Sequence, residues 1–310
     1  MLSPPTVIIS LDCEGKWGMA DLDPPYFRDL TSASLSVAYR QLLAMFARYE
    51  VAATFAFVMA FTLSAAEREQ FPVLDRWGDP DDAWLAHYWR SLDEGQAEGW
   101  HEPEPFALVR DSGRHEIAAH GFCHRSLGEA AIDQAGATRE LADAARAAQL
   151  KGVELKTLVF PRNEVGHLPA VAAAGYLGYR ARLDRPSGIF GRGVALLDEL
   201  AVNAAPQQPL QSTAGLVAIP AGHFFNWRFG MRRLVPPAVT KARWRNQLRK
   251  CVRDGGVVHL WLHPHNLITG PSTAPVLESV LAEIARLRDR GQVAVMTQQR
   301  YCEHMLAATG

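Results

Sequence analysis

The chain has four cysteines in 310 residues, and none of them (Cys13, Cys123, Cys251, Cys302) stands in a C-x-x-C spacing. A zinc knuckle and a dithiol redox motif are thereby excluded, and small buried thiols in a reducing compartment are expected. No stretch approaches the ~18 apolar residues of a membrane span. Residues Met1 to Pro5 show no basic region leading into an apolar one, so no signal peptide is read and a cytoplasmic protein is expected. A charge excess is also missing. The formal net charge is -1, which gives no general reason to expect a nucleic-acid partner. Lysine is scarce: 27 of the 32 basic residues are arginine. There is no internal repeat, low-complexity tract or obvious linker.

What is present is an ordinary globular composition, 48% hydrophobic and 21% charged, long enough for one large α/β barrel. Thr6–Asp12 is a short β-branched apolar run of the kind that forms a buried parallel strand. Similar runs stand at 51–58, 115–119, 157–160 and 257–262, with shorter ones at 178–181, 216–219 and 293–297. Between them lie helical patterns at about 33–49, with Ser32 as a cap, and at 132–150, 168–174 and 274–290. Six or seven such strand–helix units can close into a barrel. A single domain over 1–310 is expected, with a Trp-, Pro- and acid-rich insertion over about 64–113 and a variable region over about 183–256.

The chemistry-bearing residues gather where those runs end, which is where parallel α/β folds place their sites. Ser10-Leu-Asp12-Cys-Glu14-Gly15 puts two carboxylates at one strand end; a helix cap and a solvated glutamate are the plain alternative. His120-Gly-Phe-Cys-His124 follows another strand, and two imidazoles within one turn can converge on a metal ion. With a carboxylate they leave coordination positions open, as in catalytic sites. His259-Leu-Trp-Leu-His263-Pro-His265 offers a buried structural His259 and, at the strand end, His263 as general acid for a leaving amine, with His265 as competitor. Phe160-Pro-Arg162-Asn163 offers a guanidinium to hold a catalytic carboxylate ionised, or a surface arginine. Cys13 and Cys123 read as packed small residues, or as thiols beside the metal.

These four segments, with the strand Val51-Ala-Ala-Thr-Phe-Ala-Phe-Val, resemble the polysaccharide deacetylase family (carbohydrate esterase family 4, of the NodB type) over half to two-thirds of the chain. The resemblance implies a distorted (β/α) barrel and a divalent metal, usually zinc, held by a carboxylate and two histidines. Where that family commonly has adjacent aspartates, this chain has Asp12-x-Glu14, as in a divergent branch. By analogy Asp12 is the base and Glu14, His120 and His124 are ligands, with the exchange of Asp12 and Glu14 left open. The family's additional aspartate, which orients the catalytic histidine, has its nearest acidic candidate in Asp198.

The expected activity is therefore metal-dependent removal of an N-acyl group, N-acetyl foremost, from an amino sugar. With no export signal read, a nucleotide-linked, lipid-linked or small glycoside precursor is expected over a wall polymer. Alternatives are a deformylase or cyclic-amide hydrolase on the same scaffold, and a non-catalytic carbohydrate- or phosphosugar-binding module. Nine basic residues and no acidic one between Arg228 and Arg253 form either a solvated helix face or a phosphate-binding patch. Trp77, Trp84, Trp89 and Trp100 form either a lid for sugar faces or the core of an added subdomain. His223, Trp227, His265 and Asn163 are candidate substrate contacts.

Overall fold

The computed structural model describes residues 4–74, 82–182, 205–209 and 213–308. Its centre is a nine-stranded sheet in which every strand pairing is parallel. The strands are β1 (Thr6–Cys13), β2 (Thr54–Phe57), β3 (Glu116–Ala119), β4 (Thr157–Val159), β5 (Gly178–Arg180), β6 (Val217–Ile219), β7 (His223–Phe224), β8 (Val257–Leu262) and β9 (Ala294–Met296). They lie in the order β6-β5-β4-β3-β2-β1-β8-β7, and β9 pairs with β1. The two ends of this path, β6 and β7, are joined by only three residues, 220–222, so the sheet curls nearly into a closed tube. This is the expected distorted (β/α) barrel.

The described α-helices are α1 (Ser32–Arg48), α2 (Ala65–Arg68), α3 (Ala86–Asp93), α4 (Pro103–Asp111), α5 (Gln134–Leu150), α6 (Leu168–Ala173), α7 (Pro237–Asp254), α8 (Asn266–Thr269), α9 (Thr273–Asp289) and α10 (Gln298–Ala307). The N-cap of α1 is Thr31, not Ser32: its hydroxyl accepts from the Ser34 backbone, and Ser34 answers the Thr31 backbone in a reciprocal box. The 64–113 segment holds three short helices, α2, α3 and α4. Its last part, α4, leads directly into β3 and packs against α1. Asp198 and Trp77 lie outside the described residues.

Because side chains alternate along a strand, each strand sends one set inward and one toward the helices. On β1, Val7, Ile9, Leu11 and Cys13 join the large core shared with the helices. Ile8 joins Val217, Ile219 and Val257 in a separate cluster inside the curl. Cys13 therefore points away from the interior, into the core shared with the helices, and burial pushes its thiol well above the usual range. The inward set includes Ser10 and Asp12 on β1, Glu116 and Ala118 on β3, Arg180 on β5, and His259 and Trp261 on β8. At the amino-terminal end Glu116 is buried and accepts from Thr54 Oγ1 (2.7 Å), Thr157 Oγ1 (2.5 Å) and the Gln299 backbone (2.9 Å). These bonds tie α10 to that end of the tube. The opposite end is left for the site.

Candidate metal centre and its surroundings

Glu14 follows β1 by one residue and keeps the inward direction of Ser10 and Asp12. Space for its carboxylate exists because residue 18 is glycine: a Cβ there would stand 2.1 Å from Glu14 Oε1. His120 follows β3 with the same inward parity. Its Nδ1 lies 2.8 Å from the Val159 carbonyl. A carbonyl can only accept, so Nδ1 carries the hydrogen and Nε2 presents its lone pair. Gly121, at φ +76, turns the chain back, and the turn is pinned by Glu140 of α5, whose Oε1 accepts from the Phe122 and Cys123 backbones (2.9 and 2.8 Å). This brings His124 round to face His120.

The outcome is a triangle of donors. His120 Nε2 and His124 Nε2 are 3.1 Å apart. Glu14 Oε2 is 3.4 Å from the first and 3.3 Å from the second. Zinc–ligand bonds of about 2.0–2.1 Å in a tetrahedron separate neighbouring donors by about 3.3–3.4 Å. Two of the three separations stand at that spacing and the His120–His124 one is slightly shorter, so the residues fit a divalent cation with little rearrangement. All three side chains are nearly buried. Burial pushes the His124 pKa down, keeping its ring neutral as a ligand must be. For Glu14, burial works against ionisation but is outweighed by the neighbouring histidines, His263 first and then His120 and His124, leaving its pKa well below the ordinary value.

Two further titratable groups, His263 and Asp12, stand nearby. His263 Nε2 lies 3.4 Å from the other oxygen of Glu14, Oε1, and its side chain is 20% exposed at the opening. Asp12 is gripped at both oxygens by Arg180, Nη1 to Oδ1 at 2.8 Å and Nη2 to Oδ2 at 2.7 Å. Arg180 also donates to Asn163 Oδ1 at 2.9 Å and lies over the Trp261 ring at 4.6 Å. Burial would raise the Asp12 pKa, but Arg180 and the nearby histidines hold it below the ordinary value.

Here the structure corrects the sequence reading. Arg162 does not serve Asp12. At φ +56 it turns outward, pairs with Asp21 at 2.5 Å and covers the Trp84 ring at 4.6 Å. Arg180, which sequence reasoning passed over, is the cation on Asp12. Asn163 is held by Arg180. His223 begins β7 opposite Leu260, below the level of His263 on the adjacent strand, and is not brought to Glu14. His265 lies stacked beneath His263 at 4.9 Å, and burial pushes its pKa down to about 3. Trp227 packs edge-on to His265 at 5.7 Å and donates to Thr269 Oγ1 at 2.8 Å. His259 is structural as expected: Nδ1 donates to the Pro220 carbonyl (2.6 Å) and Nε2 pairs with Ser10 Oγ (2.8 Å).

The tryptophans divide. Trp89 and Trp100 are buried in the core. Trp84 reaches the site, stacked on His124 at 6.1 Å with its Nε1 on the Cys123 carbonyl at 2.8 Å. Cys123 itself is fully buried, with its pKa raised well above normal by burial and then by Glu140. The basic run does not make one patch. Arg243 is buried within α7, Arg253 pairs with Asp254, and Arg245 and Arg249 act on Glu283.

No family model matches the chain, and no curated protein matches it in sequence. Solved structures do match in fold. A candidate polysaccharide deacetylase from Mycobacterium smegmatis is 19% identical, with a TM-score of 0.67 over 100% of this chain and 96% of that one. The Puue allantoinase is 14% identical, with a TM-score of 0.59 over 97% of this chain and 90% of that one. The chain thus has the distorted (β/α) barrel fold of the polysaccharide deacetylase, NodB type.

Proposed function

We propose that the chain is a metal-dependent hydrolase of the polysaccharide deacetylase family that removes an N-acyl group, N-acetyl foremost, from an amino sugar. The observation that carries this reading is the donor triangle of Glu14, His120 and His124, set between an ionised Asp12 and a solvent-facing His263. A divalent cation held by those three residues, zinc by preference, would supply Lewis-acid polarisation of the acyl carbonyl and charge stabilisation of the oxyanion.

The remaining chemistry belongs to the side chains. Asp12 accepts a proton from the attacking water. Each of its oxygens spends one lone pair on Arg180 and keeps a second, so Arg180 holds the carboxylate ionised and oriented without blocking it. The water oxygen bonds to the acyl carbon, the C–N bond breaks, and His263 Nε2 donates the proton that the leaving amine needs. His265, buried and neutral, supports His263 from beneath and is the weaker candidate for acid. Trp84, Tyr26 and Trp227 stand around the opening as apolar faces suited to a sugar ring. Opening of a cyclic amide would use the same base, acid and cation.

The test is a panel of N-acetyl and N-formyl amino sugars and cyclic amides, assayed with and without a chelator and after metal is restored. Release of acetate that stops on chelation and returns with the metal is expected. Full activity in demonstrably metal-free protein would overturn the metal reading, and turnover of the cyclic amide alone would replace the substrate.

A further inference from the structure

Beyond Trp227 the chain turns its apolar side chains outward. Phe229 is 40% exposed, Met231 71% and Leu234 72%. Met231 and Leu234 lie on one 3-10 turn, Gly230–Leu234, and are interleaved with Arg228, Arg232 and Arg233. The sequence has no acidic residue from there to Arg253. Arg228 splints the turn by donating to the Val235 carbonyl (2.7 Å), the Arg233 carbonyl (3.0 Å) and Ser272 Oγ (3.0 Å). These partners are neutral oxygens, so they fix its shape and leave its positive charge. The turn is also continuous with the opening of the site. Phe229 stacks on Trp227 at 4.8 Å, and Trp227 and Tyr26 both pack against the His265 ring.

We propose that this turn is an interfacial anchor that seats the opening of the site on an anionic lipid bilayer. Phe229, Met231 and Leu234 enter the boundary between headgroups and acyl chains, and the Arg228 and Arg233 charges meet the lipid phosphates; Arg232 lies over the Phe224 ring at 5.0 Å. Size and charge select a bilayer over a protein. Three outward side chains are far fewer than the ~20–30 residues a side of a stable protein interface. A few apolar groups joined to cationic ones suffice for reversible attachment to an anionic membrane surface. Leu22 is exposed too (51%), but it stands between Asp21 and Asp23 and is not part of this surface. No helix among the described residues is long and apolar enough to cross a membrane. On the deacylase reading, on which this clause alone rests, the substrate so presented is a membrane-borne glycoside of an amino sugar.

The experiment is co-sedimentation of the full chain with vesicles of phosphatidylcholine, alone and mixed with phosphatidylglycerol, over a salt series. Binding to the mixed vesicles that weakens with salt is expected. Met231→Glu and Leu234→Glu should each lower partitioning about tenfold or more, and Arg233→Ala about fivefold. These positions are exposed, so the melting temperature and the hydrolysis of a soluble N-acetyl glycoside should not change. The proposal is overturned if no vesicle sediments the protein at low salt, or if the glutamate variants bind as the wild type does. A self-associating chain that Met231→Glu dissociates would overturn it in favour of a second copy. Vesicle binding is read without turnover, so its failure leaves the catalytic reading standing, and the converse also holds.

Discussion

Replacing Arg180 with methionine should be the most informative single change in the molecule. Both partners of the Arg180–Asp12 pair are 2% exposed, so neither has water to fall back on. Removing one member of such a pair leaves a buried charge uncompensated and costs about 3–5 kcal/mol, even though the intact pair adds far less to net stability. Methionine fills much of the volume, which leaves the electrostatic loss as the main term. Urea unfolding at neutral pH should therefore show the variant destabilised by about 3–5 kcal/mol.

The sign of its pH dependence follows from Asp12. In the wild type the folded pKa of Asp12 lies below its ordinary value. The stability it contributes is present above the unfolded value and is lost as pH falls through the folded one. Without Arg180, burial dominates and the folded pKa rises, so protonation now relieves the folded state. The gap between wild type and variant should narrow from neutrality down to about pH 4, near the unfolded value, and the acid limb of kcat/KM should move to higher pH. Adding Asp12→Asn to Arg180→Met should recover part of the stability and none of the activity. A variant within about 1 kcal/mol of wild type, well short of the buried-pair cost, or a gap that ignores pH, would refute the assignment.

Three further outcomes test the rest of the site. Elemental analysis should find one divalent metal per chain, lost in His124→Ala; a variant that keeps its metal would remove His124 from the ligand set. His263→Ala should lower kcat by about 10²–10⁴, and an unchanged kcat would pass the acid role to His265. Gly18→Ala drives a methyl into Glu14 Oε1, where a Cβ would stand at 2.1 Å. It should weaken metal affinity while far-ultraviolet circular dichroism stays native, and undiminished affinity would show that Glu14 is free to move.

Much of this was legible because the strands are continuous apolar runs closed by polar residues. Asp12, His120 and His263 each end such a run, and a buried parallel strand tolerates charge best at its carboxyl end. Arg180 was not legible by that rule, since Gly178-Tyr-Arg180 is too short to form a run. Alternation would have found it: Arg180 stands two residues after Gly178, on the inward set that also holds His259 and Trp261 of β8. Arg162 misleads because a polar residue just past a strand need not keep the strand's direction. The left-handed turn at Arg162 and Asn163 breaks that continuity and sends the arginine to Asp21. The 64–113 segment read as one irregular block because its helices are only 4 to 9 residues long, too few for a clear 3.6-residue period. Among its described tryptophans, Trp84 is told from packing by its place against His124.

On the proposed reading, the division of labour between Asp12 and Glu14 would follow from their partners rather than from residue type. Two residues apart on one strand, both carboxylates face the same interior, and spacing alone leaves their roles exchangeable. Their partners do not. Asp12 has both oxygens on a guanidinium, which is permanently charged and cannot share a metal. An ion there would stand beside a fixed positive charge, so Asp12 is suited to stay anionic and take up a proton. Among the described residues Glu14 pairs with imidazoles, whose neutral nitrogens are metal ligands by chemistry. It turns one oxygen to His120 and His124 and the other to His263. A cation held on the first oxygen would draw electron density from the whole carboxylate and weaken its hold on a proton at His263, favouring proton release to a departing amine. In this reading the longer glutamate side chain serves a purpose, since a single carboxylate reaches both the donor triangle and the acid. Glu14→Asp should then uncouple the two, keeping bound metal while lowering kcat; a variant that loses metal and kcat in parallel would show that Glu14 serves the metal alone.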